Sequence, residues 1–407
     1  MITGNISGWV TNVAEKEVEK VVEVNPKLTN KLKSLGALDF MACFSCGTCT
    51  VTCPLSVSGT EFPRKIIRYG ILGMEKELLS MPQPWLCYYC GDCTRECPRD
   101  ANPASFMMAA RRFSIIKYSI GGVAALFYSK ISAIISLLLI SLLASYGLLY
   151  FSGIFDLNTL FTLSNTFNPY TLTEYNFIHE AGLTLGAFVG IVALIQALKM
   201  YSYLRRSSST TTTEKSIPLG SKIKFFLQSL VSTVIKEGAL ELRYLKCEKK
   251  GRYLAHMAIA WGMILLFTAS GLNYIRDSYL LGTYVSSLIG HLLPVVIGIT
   301  SGVITCGGCL YFVVNRGKKT DEYFEYTHVS DAVFLILLLL SVLTGFLIDI
   351  FNYASIAYYA YAFYFAHLVF VFDLIVTAPF TKFAHWGYRL IAVWFNEYNS
   401  LVSSVKS

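Results

Sequence analysis

Long apolar segments dominate the second part of the chain. Six windows are long and apolar enough to cross a hydrocarbon core of about 30 Å at 1.5 Å per residue. They are residues 130–152, 177–200, 253–275, 285–314, 331–351 and 358–380. The preceding residues have an ordinary density of charge. The pattern therefore predicts a mainly α-helical protein with a head domain at 1–125, a transmembrane domain at 126–390 with a linker at 201–252, and a tail at 391–407.

Two segments of the head show helical periodicity. The first is "GTEFPRKIIRYGILGMEKELLS" at 59–80, which repeats apolar residues such as Ile66, Ile67 and Ile71 on one face. The second is "NPASFMMAARRFSIIKY" at 102–118. Residues 1–20 are mildly amphipathic and lack the apolar core of a signal peptide, so we expect the head not to be exported.

Composition agrees with a membrane protein, because 54% of the residues are hydrophobic and 15% are charged. The formal net charge is +8, and two connections beside the spans are basic, with twelve Lys and Arg in 199–252 and three in 315–330. The connections 153–176, 276–283 and 351–357 carry one basic residue, Arg276. Basic loops stay inside, so we expect a multi-pass protein of the cell (inner, cytoplasmic) membrane with both termini cytoplasmic. This distribution does not indicate nucleic-acid binding.

The connection 199–252 has two parts. "RRSSSTTTTEKS" is a low-complexity linker. Residues 224–252 have helical periodicity and either lie along the inner membrane surface or pack against the head.

Eight of the eleven cysteines form two motifs, "CFSCGTCTVTCP" and "CYYCGDCTRECP". Each has the spacing C-x2-C-x2-C-x3-C-P of bacterial two-cluster ferredoxins, in which the fourth cysteine ligates the other cluster. We therefore predict two 4Fe-4S clusters. The first has the ligands Cys43, Cys46, Cys49 and Cys97, and the second has the ligands Cys87, Cys90, Cys93 and Cys53.

Disulfides and zinc are the alternative uses of these cysteines. Thiols stay reduced in the cytosol, which disfavours a disulfide framework. Zinc sites use two C-x2-C pairs, not triplets followed by C-P. Each predicted cluster has all four ligands, which favours electron transfer.

All six histidines lie at or within predicted spans, at His179, His256, His291, His328, His367 and His385. Ionisable side chains are expensive in a bilayer. Haem held between helices by paired axial histidines accounts for them together, and it predicts a six-helix cytochrome b-type bundle with one or two haems b.

The histidines divide into a cytoplasmic-side group and an outer-side group according to their predicted depth in the membrane. His256 begins the third span and His385 ends the sixth on the cytoplasmic side, so we predict that they bind an inner haem. His367 lies towards the outer side, where His291 is the preferred partner for an outer haem and His179 the other candidate. His328 lies in "DEYFEYTHVSD" and is predicted to be interfacial.

Three other features inside the spans allow two interpretations each. Asp373 either exchanges protons with a quinone or is a protonated, hydrogen-bonded residue of the bundle. Lys382 either pairs with a haem propionate or extends to the interface. The "CGGC" segment from Cys306 to Cys309 has a redox spacing, but small residues that allow close helix packing are the favoured interpretation.

The segment "HLVFVFDLIVTAPFTKFAH", from His367 to His385, resembles the last span of nitrate reductase gamma subunits, where two haem ligands have this spacing. Eighteen residues make five helical turns, so a single helix would place both histidines on one face about 27 Å apart. A bend at Pro379, which lies between them, is an alternative that shortens this distance. The head resembles the C subunit of heterodisulfide reductase, and residues 247–272 resemble the haem-binding span of its E-type membrane subunit. The combination resembles the C subunits of quinone-interacting membrane-bound oxidoreductase complexes.

This resemblance implies an electron-transfer subunit without a substrate-cleaving site. It would link menaquinol or menaquinone, through haem b and the two clusters, to cytoplasmic flavin/iron–sulfur partner subunits, and it would serve adenylylsulfate reduction in sulfate respiration. One departure concerns Leu266, which stands where the nitrate reductase subunit has a second histidine. The alternatives are a methanophenazine- or quinone-linked membrane arm of a heterodisulfide reductase and a membrane redox sensor. The sensor alternative is disfavoured because we recognise no output domain in the sequence.

Overall fold

The computed structural model describes residues 22–58, 62–152, 167–172, 175–207, 217–242, 250–280, 292–320, 324 and 327–405. Within these ranges all regular structure is helical. The prediction of a mainly α-helical protein, with a ferredoxin-like head followed by long apolar helices, is confirmed.

Short helices build the head around one long helix. They are α1 (Leu28–Ser34), α2 (Thr48–Thr52), α3 (Arg64–Ile71), α4 (Glu75–Ser80), α5 (Gln83–Leu86), α6 (Asp92–Arg95) and the long α7 (Pro103–Tyr118). The side chain of Asn102 caps α7 by accepting a hydrogen bond from the backbone N–H of Ser105. The predicted helix at 59–80 is divided at Gly73, whose φ is +72° and whose added Cβ would lie 2.6 Å from the carbonyl oxygen of Asn25. Only glycine fits this turn.

The second part contains long helices and their connections. They are α8 (Lys130–Ser152), α9 (Pro169–Leu172), α10 (Tyr175–Ser207), α11 (Leu219–Thr233), α12 (Lys250–Ile275), α13 (Leu293–Lys318), α14 (Val329–Tyr353), α15 (Ala357–Thr377) and α16 (Ala384–Ser403). Six candidate spans are long and apolar enough to cross a membrane, and they correspond to the six predicted windows. Residues 285–291 of the fourth window lie outside the described residues.

Small residues let neighbouring spans approach closely. A Cβ added to Gly308 on α13 would lie 2.8 Å from the carbonyl oxygen of Ala255 on α12, and one added to Gly262 would overlap the hydroxyl of Thr305. Cys309, beside Gly308, is fully buried in the same seam. The "CGGC" segment therefore lies where two helix backbones pack, as small residues do in membrane bundles.

The sixth span is not one helix, so the prediction that His367 and His385 share a helix face is wrong. Helix α15 ends at Thr377, Ala378–Phe380 form a 3₁₀ turn, and α16 begins at Ala384. Pro379 lacks an N–H and crowds the preceding turn, which explains the break. The hydroxyls of Thr377 and Thr381 donate to carbonyls one turn earlier and satisfy backbone groups at the break.

The head packs directly on the ends of the long helices. Tyr388 of α16 contacts the rings of Trp85 and Tyr118, with centroid separations of 5.3 and 5.5 Å. Helix α16, which covers much of the segment predicted as a tail, thus joins the hydrophobic core of the head. Helix α11 packs against α16 through Phe226 and Trp394. We call the end of the bundle that carries the head the head end.

Candidate metal centres of the head and the bundle

The two cysteine motifs fold into two separate pockets. One pocket is lined by Cys43, Cys46, Cys49 and Cys97. The other is lined by Cys53, Cys87, Cys90 and Cys93. The structure thus brings together the same two sets of four that the spacing predicts, with the fourth cysteine of each motif in the pocket of the other motif. We call them the first-cluster pocket and the second-cluster pocket.

The loops of the two motifs have the same backbone form. Ser45 and Gly47 in the first loop, and Tyr89 and Gly91 in the second, have positive φ values of 64°, 93°, 59° and 93°. Such left-handed residues turn successive N–H groups towards one side. The N–H of Tyr89 donates to the sulfur of Cys87 at 3.4 Å. The chain therefore wraps each pocket as a ligand loop wraps an anionic cluster.

Burial raises the pKa of thiols in the second-cluster pocket. Desolvation raises the pKa of Cys53 to about 11 and that of Cys90 to about 12. A thiolate is therefore unfavourable there unless positive iron compensates for the lost hydration. Cys46 of the first-cluster pocket is exposed, and hydrogen bonds from Thr48 lower its pKa.

His256 and His385 meet at the head end of the bundle. Their ring centroids are 6.2 Å apart and the rings are nearly perpendicular, at 83°. An ion bound by two imidazole nitrogens, each at about 2 Å, spaces the ring centres by roughly 6 Å. We call these residues the histidine pair. Their spacing fits axial ligation of a haem iron.

An acceptor lies beside the Nδ1 atom of each ring. The Nδ1 atom of His385 contacts the carbonyl of Lys382, and the Nδ1 atom of His256 lies 2.8 Å from a carboxylate oxygen of Glu241. An acceptor in this place favours the tautomer with the proton on Nδ1, which leaves Nε2 for a metal. The donor chemistry of the pair therefore fits a haem.

His367 lines a separate cavity of about 640 Å³ between α12, α13, α14 and α15. Its Nδ1 atom lies 2.9 Å from the carbonyl oxygen of Ser341 and 3.1 Å from the hydroxyl of Thr344. Leu266 also lines this cavity. We call this space the far cavity, because its lining extends to the end of α14 distant from the head.

Among the described residues that line the far cavity, no second histidine faces His367. His291 lies outside the described residues. His179 packs against the ring of Tyr274, with a centroid separation of 4.9 Å, and does not line the cavity. His367 thus has the same tautomer-fixing contact as the pair, without a described histidine facing it.

The remaining predicted residues are held by polar contacts. Asp373, with 1% of its surface exposed, accepts a hydrogen bond from the hydroxyl of Ser141. Lys382 pairs with Asp331 at 3.1 Å. His328, predicted to be interfacial, is instead buried and caps α14 through its Nδ1 atom, because the head covers it. Burial, together with the charge of Arg112, lowers the pKa of His328 to about 4.

Buried charges at the junction of head and bundle were not predicted. Arg112 of α7 bonds Asp331 at 2.8 Å and the carbonyl oxygen of Leu35 at 2.8 Å. Its neighbour Arg111 donates to the carbonyls of Pro84 and Cys87. The sequence did carry a signal, since two adjacent arginines interrupt an otherwise apolar helix.

Comparison with known proteins agrees with the geometry of the head. Residues 42–102 match the family model of the 4Fe-4S dicluster domain. A protein of Archaeoglobus profundus named as similar to the C subunit of heterodisulfide reductase is 38% identical over 116 residues, which are 28% of this chain and 62% of that protein. The C subunit of the H2:CoB-CoM heterodisulfide,ferredoxin reductase of Methanothermobacter thermautotrophicus is 33% identical over 75 residues, which are 18% of this chain and 39% of that protein. No solved structure matches the chain.

The chain therefore spans less than two thirds of the length of these relatives, and the match to the family model lies in the head. The dicluster match confirms the prediction of an iron–sulfur domain. The relatives confirm the resemblance to C subunits of heterodisulfide reductase for this part of the chain. The protein joins a heterodisulfide reductase C-like 4Fe-4S dicluster domain to a body of six candidate membrane spans.

Proposed function

We propose that this chain is the membrane-anchoring electron-transfer subunit of a quinone-linked oxidoreductase complex. Electrons pass between menaquinol or menaquinone in the membrane and flavin/iron–sulfur partner subunits at the cytoplasmic face. The chain holds haem b and two 4Fe-4S clusters along this route. The complex serves respiration with adenylylsulfate as the acceptor, as the resemblance stated above implies.

One observation supports this proposal most directly. The histidine pair presents two fixed imidazoles 6.2 Å apart at the end of the bundle on which the iron–sulfur head rests. A haem supplies one-electron transfer when bound, and the protein supplies position and electrostatics. His256 and His385 hold the iron, and Glu241 and the carbonyl of Lys382 orient their rings.

The far cavity supports a second membrane site. It is largely apolar, contains the oriented ring of His367, and has a volume in the range of cofactor sites. We propose an outer haem here, with His291 as the second ligand and His179 as the alternative. Asp373 is proposed to exchange protons with the quinone. Lys382, held by Asp331, is proposed to face an inner haem propionate.

The test is an absorption spectrum of the purified full chain after dithionite reduction, with haem and iron quantified. We expect b-type bands and two clusters per chain. His385→Ala and His256→Ala should each remove the inner haem, whereas His328→Ala should keep it, because His328 caps a helix. A protein without b-type bands would refute the haem proposal. Reoxidation of the bands by menadione tests the link to quinone.

The outer haem has its own test. His367→Ala and His291→Ala should lower the haem content by the same amount, with the inner haem retained. If His179→Ala removes the outer haem and His291→Ala does not, His179 is the ligand. A haem content that no variant other than His256→Ala and His385→Ala lowers would refute the outer site.

A further inference from the structure

Two arginines of the bundle reach into the loop that surrounds the second cluster. Arg252 of α12 donates to the carbonyl oxygens of Tyr89 at 2.9 Å and Tyr88 at 3.2 Å. Arg389 of α16 donates to the carbonyl oxygen of Cys87 at 3.4 Å. Both guanidinium groups are buried. Residues 87–90 of the head, here called the second-cluster loop, are thus bound by side chains of two long helices.

Each arginine lies one helical turn from one member of the histidine pair. Arg252 precedes His256 by four residues on α12, and Arg389 follows His385 by four residues on α16. Residues four apart share a helix face. Both helices therefore present a histidine and an arginine from adjacent turns to the same junction.

The first-cluster pocket is the more exposed of the two, although described residues of the head alone line both pockets. Cys46 is exposed, whereas Cys87 and Cys93 of the second-cluster pocket are buried. The side chains of Phe44 and Val51 are 61% and 89% exposed. Arg64 lies over Gly47 in the first-cluster pocket. The first cluster thus lies closer to the exposed surface of the head than the second.

We propose that Arg252 and Arg389 are positioning residues that hold the second-cluster loop against the histidine pair. The second cluster then exchanges electrons with the membrane, and the first cluster exchanges them with the protein partner. His256 and His385 would hold a haem that supplies one-electron transfer, and the second-cluster loop would hold the cluster that accepts or returns that electron. The inference rests on the proposed function for the haem, the exchange with the membrane and the protein partner.

The same arginines act on the energy of the second cluster. A cluster gains one negative charge on reduction, and a buried positive charge nearby stabilises the reduced form. Replacing Arg252 by a neutral residue therefore lowers the reduction potential of the second cluster. Arg389 pairs with the buried carboxylate of Glu237 at 3.3 Å, so its replacement leaves that negative charge uncompensated and lowers the potential as well. The first cluster, which neither residue contacts in the described structure, keeps its potential.

The experiment is a redox titration of the purified full chain, followed by electron paramagnetic resonance. Cys97→Ser and Cys53→Ser assign the signals of the first and second clusters. In Arg252→Gln and Arg389→Gln we expect the ratio of reduced to oxidised second cluster to fall tenfold at a fixed potential, a shift of about 59 mV. Arg64→Gln is the matched control and should shift the first-cluster signal alone.

Arg252→Lys and Arg389→Lys separate charge from position. Lysine keeps the charge but lacks the planar fork, with which Arg252 binds two carbonyls and Arg389 binds the carbonyl of Cys87 and the carboxylate of Glu237. They should shift the second-cluster potential less than the Gln variants, and they provide the measurement if a Gln variant does not assemble clusters. Unchanged second-cluster potentials, or equal shifts of both clusters, would overturn the proposal. The absorbance of the same samples measures their haem content. An absent haem would refute the haem proposal, and this outcome is distinct from an unchanged cluster potential, which would refute the present one.

Discussion

The buried charge cluster at the junction gives a sharp stability prediction. Asp331 is 5% exposed and pairs with Arg112 at 2.8 Å and with Lys382 at 3.1 Å. Asp331→Asn removes the only negative partner that joins these two cations in the described contacts. The two positive charges then remain buried and close together.

The size of the effect follows from these distances. Opposite charges 3 Å apart attract by about 5 kcal/mol at an effective dielectric constant of 20, and desolvation offsets much of this. Breaking a buried pair by removing one partner costs about 3–5 kcal/mol. Because Arg112 belongs to the head and Lys382 to the bundle, we expect this loss to appear as weaker docking of the head.

The assay is denaturant unfolding of the detergent-solubilised chain, with head docking followed by protease sensitivity of the junction. Asp373→Asn is the matched control. That carboxylate is equally buried, but it accepts from the neutral hydroxyl of Ser141, and an amide oxygen accepts the same bond. If Asp331→Asn destabilises the chain no more than Asp373→Asn, the charge cluster does not hold the head.

Three further predictions test the ligand sets, a pH effect and the helix seam. Cys97→Ser should lose the cluster of the first motif and Cys53→Ser that of the second, measured as a fall from two clusters to one by iron analysis. The pKa of His328 falls to about 4 on folding, so protonation favours the unfolded chain. The free energy of unfolding should therefore decrease by up to about 3 kcal/mol as the pH falls from 6.5 towards 4. His328→Asn should remove this pH dependence in denaturant titrations. Gly308→Val should destabilise the bundle by about 1–3 kcal/mol in thermal unfolding, whereas Gly307→Val, which meets open space, should not.

Local patterns explain how much of the fold the sequence predicts. Spans are recognisable because the bilayer imposes one length and one polarity on each of them. The cysteine spacing specifies the ligand sets because three thiolates on a short loop bind one cubane and the fourth cysteine of the motif binds the other. The residues that carry each of these signals lie close to one another in the sequence. The helical class, the six candidate spans and the iron–sulfur head therefore followed from the sequence alone.

Features that depend on contacts between distant segments could not be predicted. Arg112 and Asp331 are 219 residues apart, and nothing local marks them as partners. His328 looked interfacial because its neighbours are polar, but the head covers it. A proline either kinks a helix or ends it, and the surrounding packing decides between the two. The break after Thr377 could therefore not be predicted from the sequence.

That break has a mechanical consequence. His367 belongs to α15 and His385 to α16, and the short 3₁₀ turn from Ala378 to Phe380 separates them. Helical hydrogen bonding is interrupted at this turn, so separate contacts place the two rings. The ring of His367 is placed by the carbonyl of Ser341 and the hydroxyl of Thr344. The ring of His385 follows α16, which packs in the aromatic core of the head. A change in the packing around α15 therefore moves His367 without moving His385.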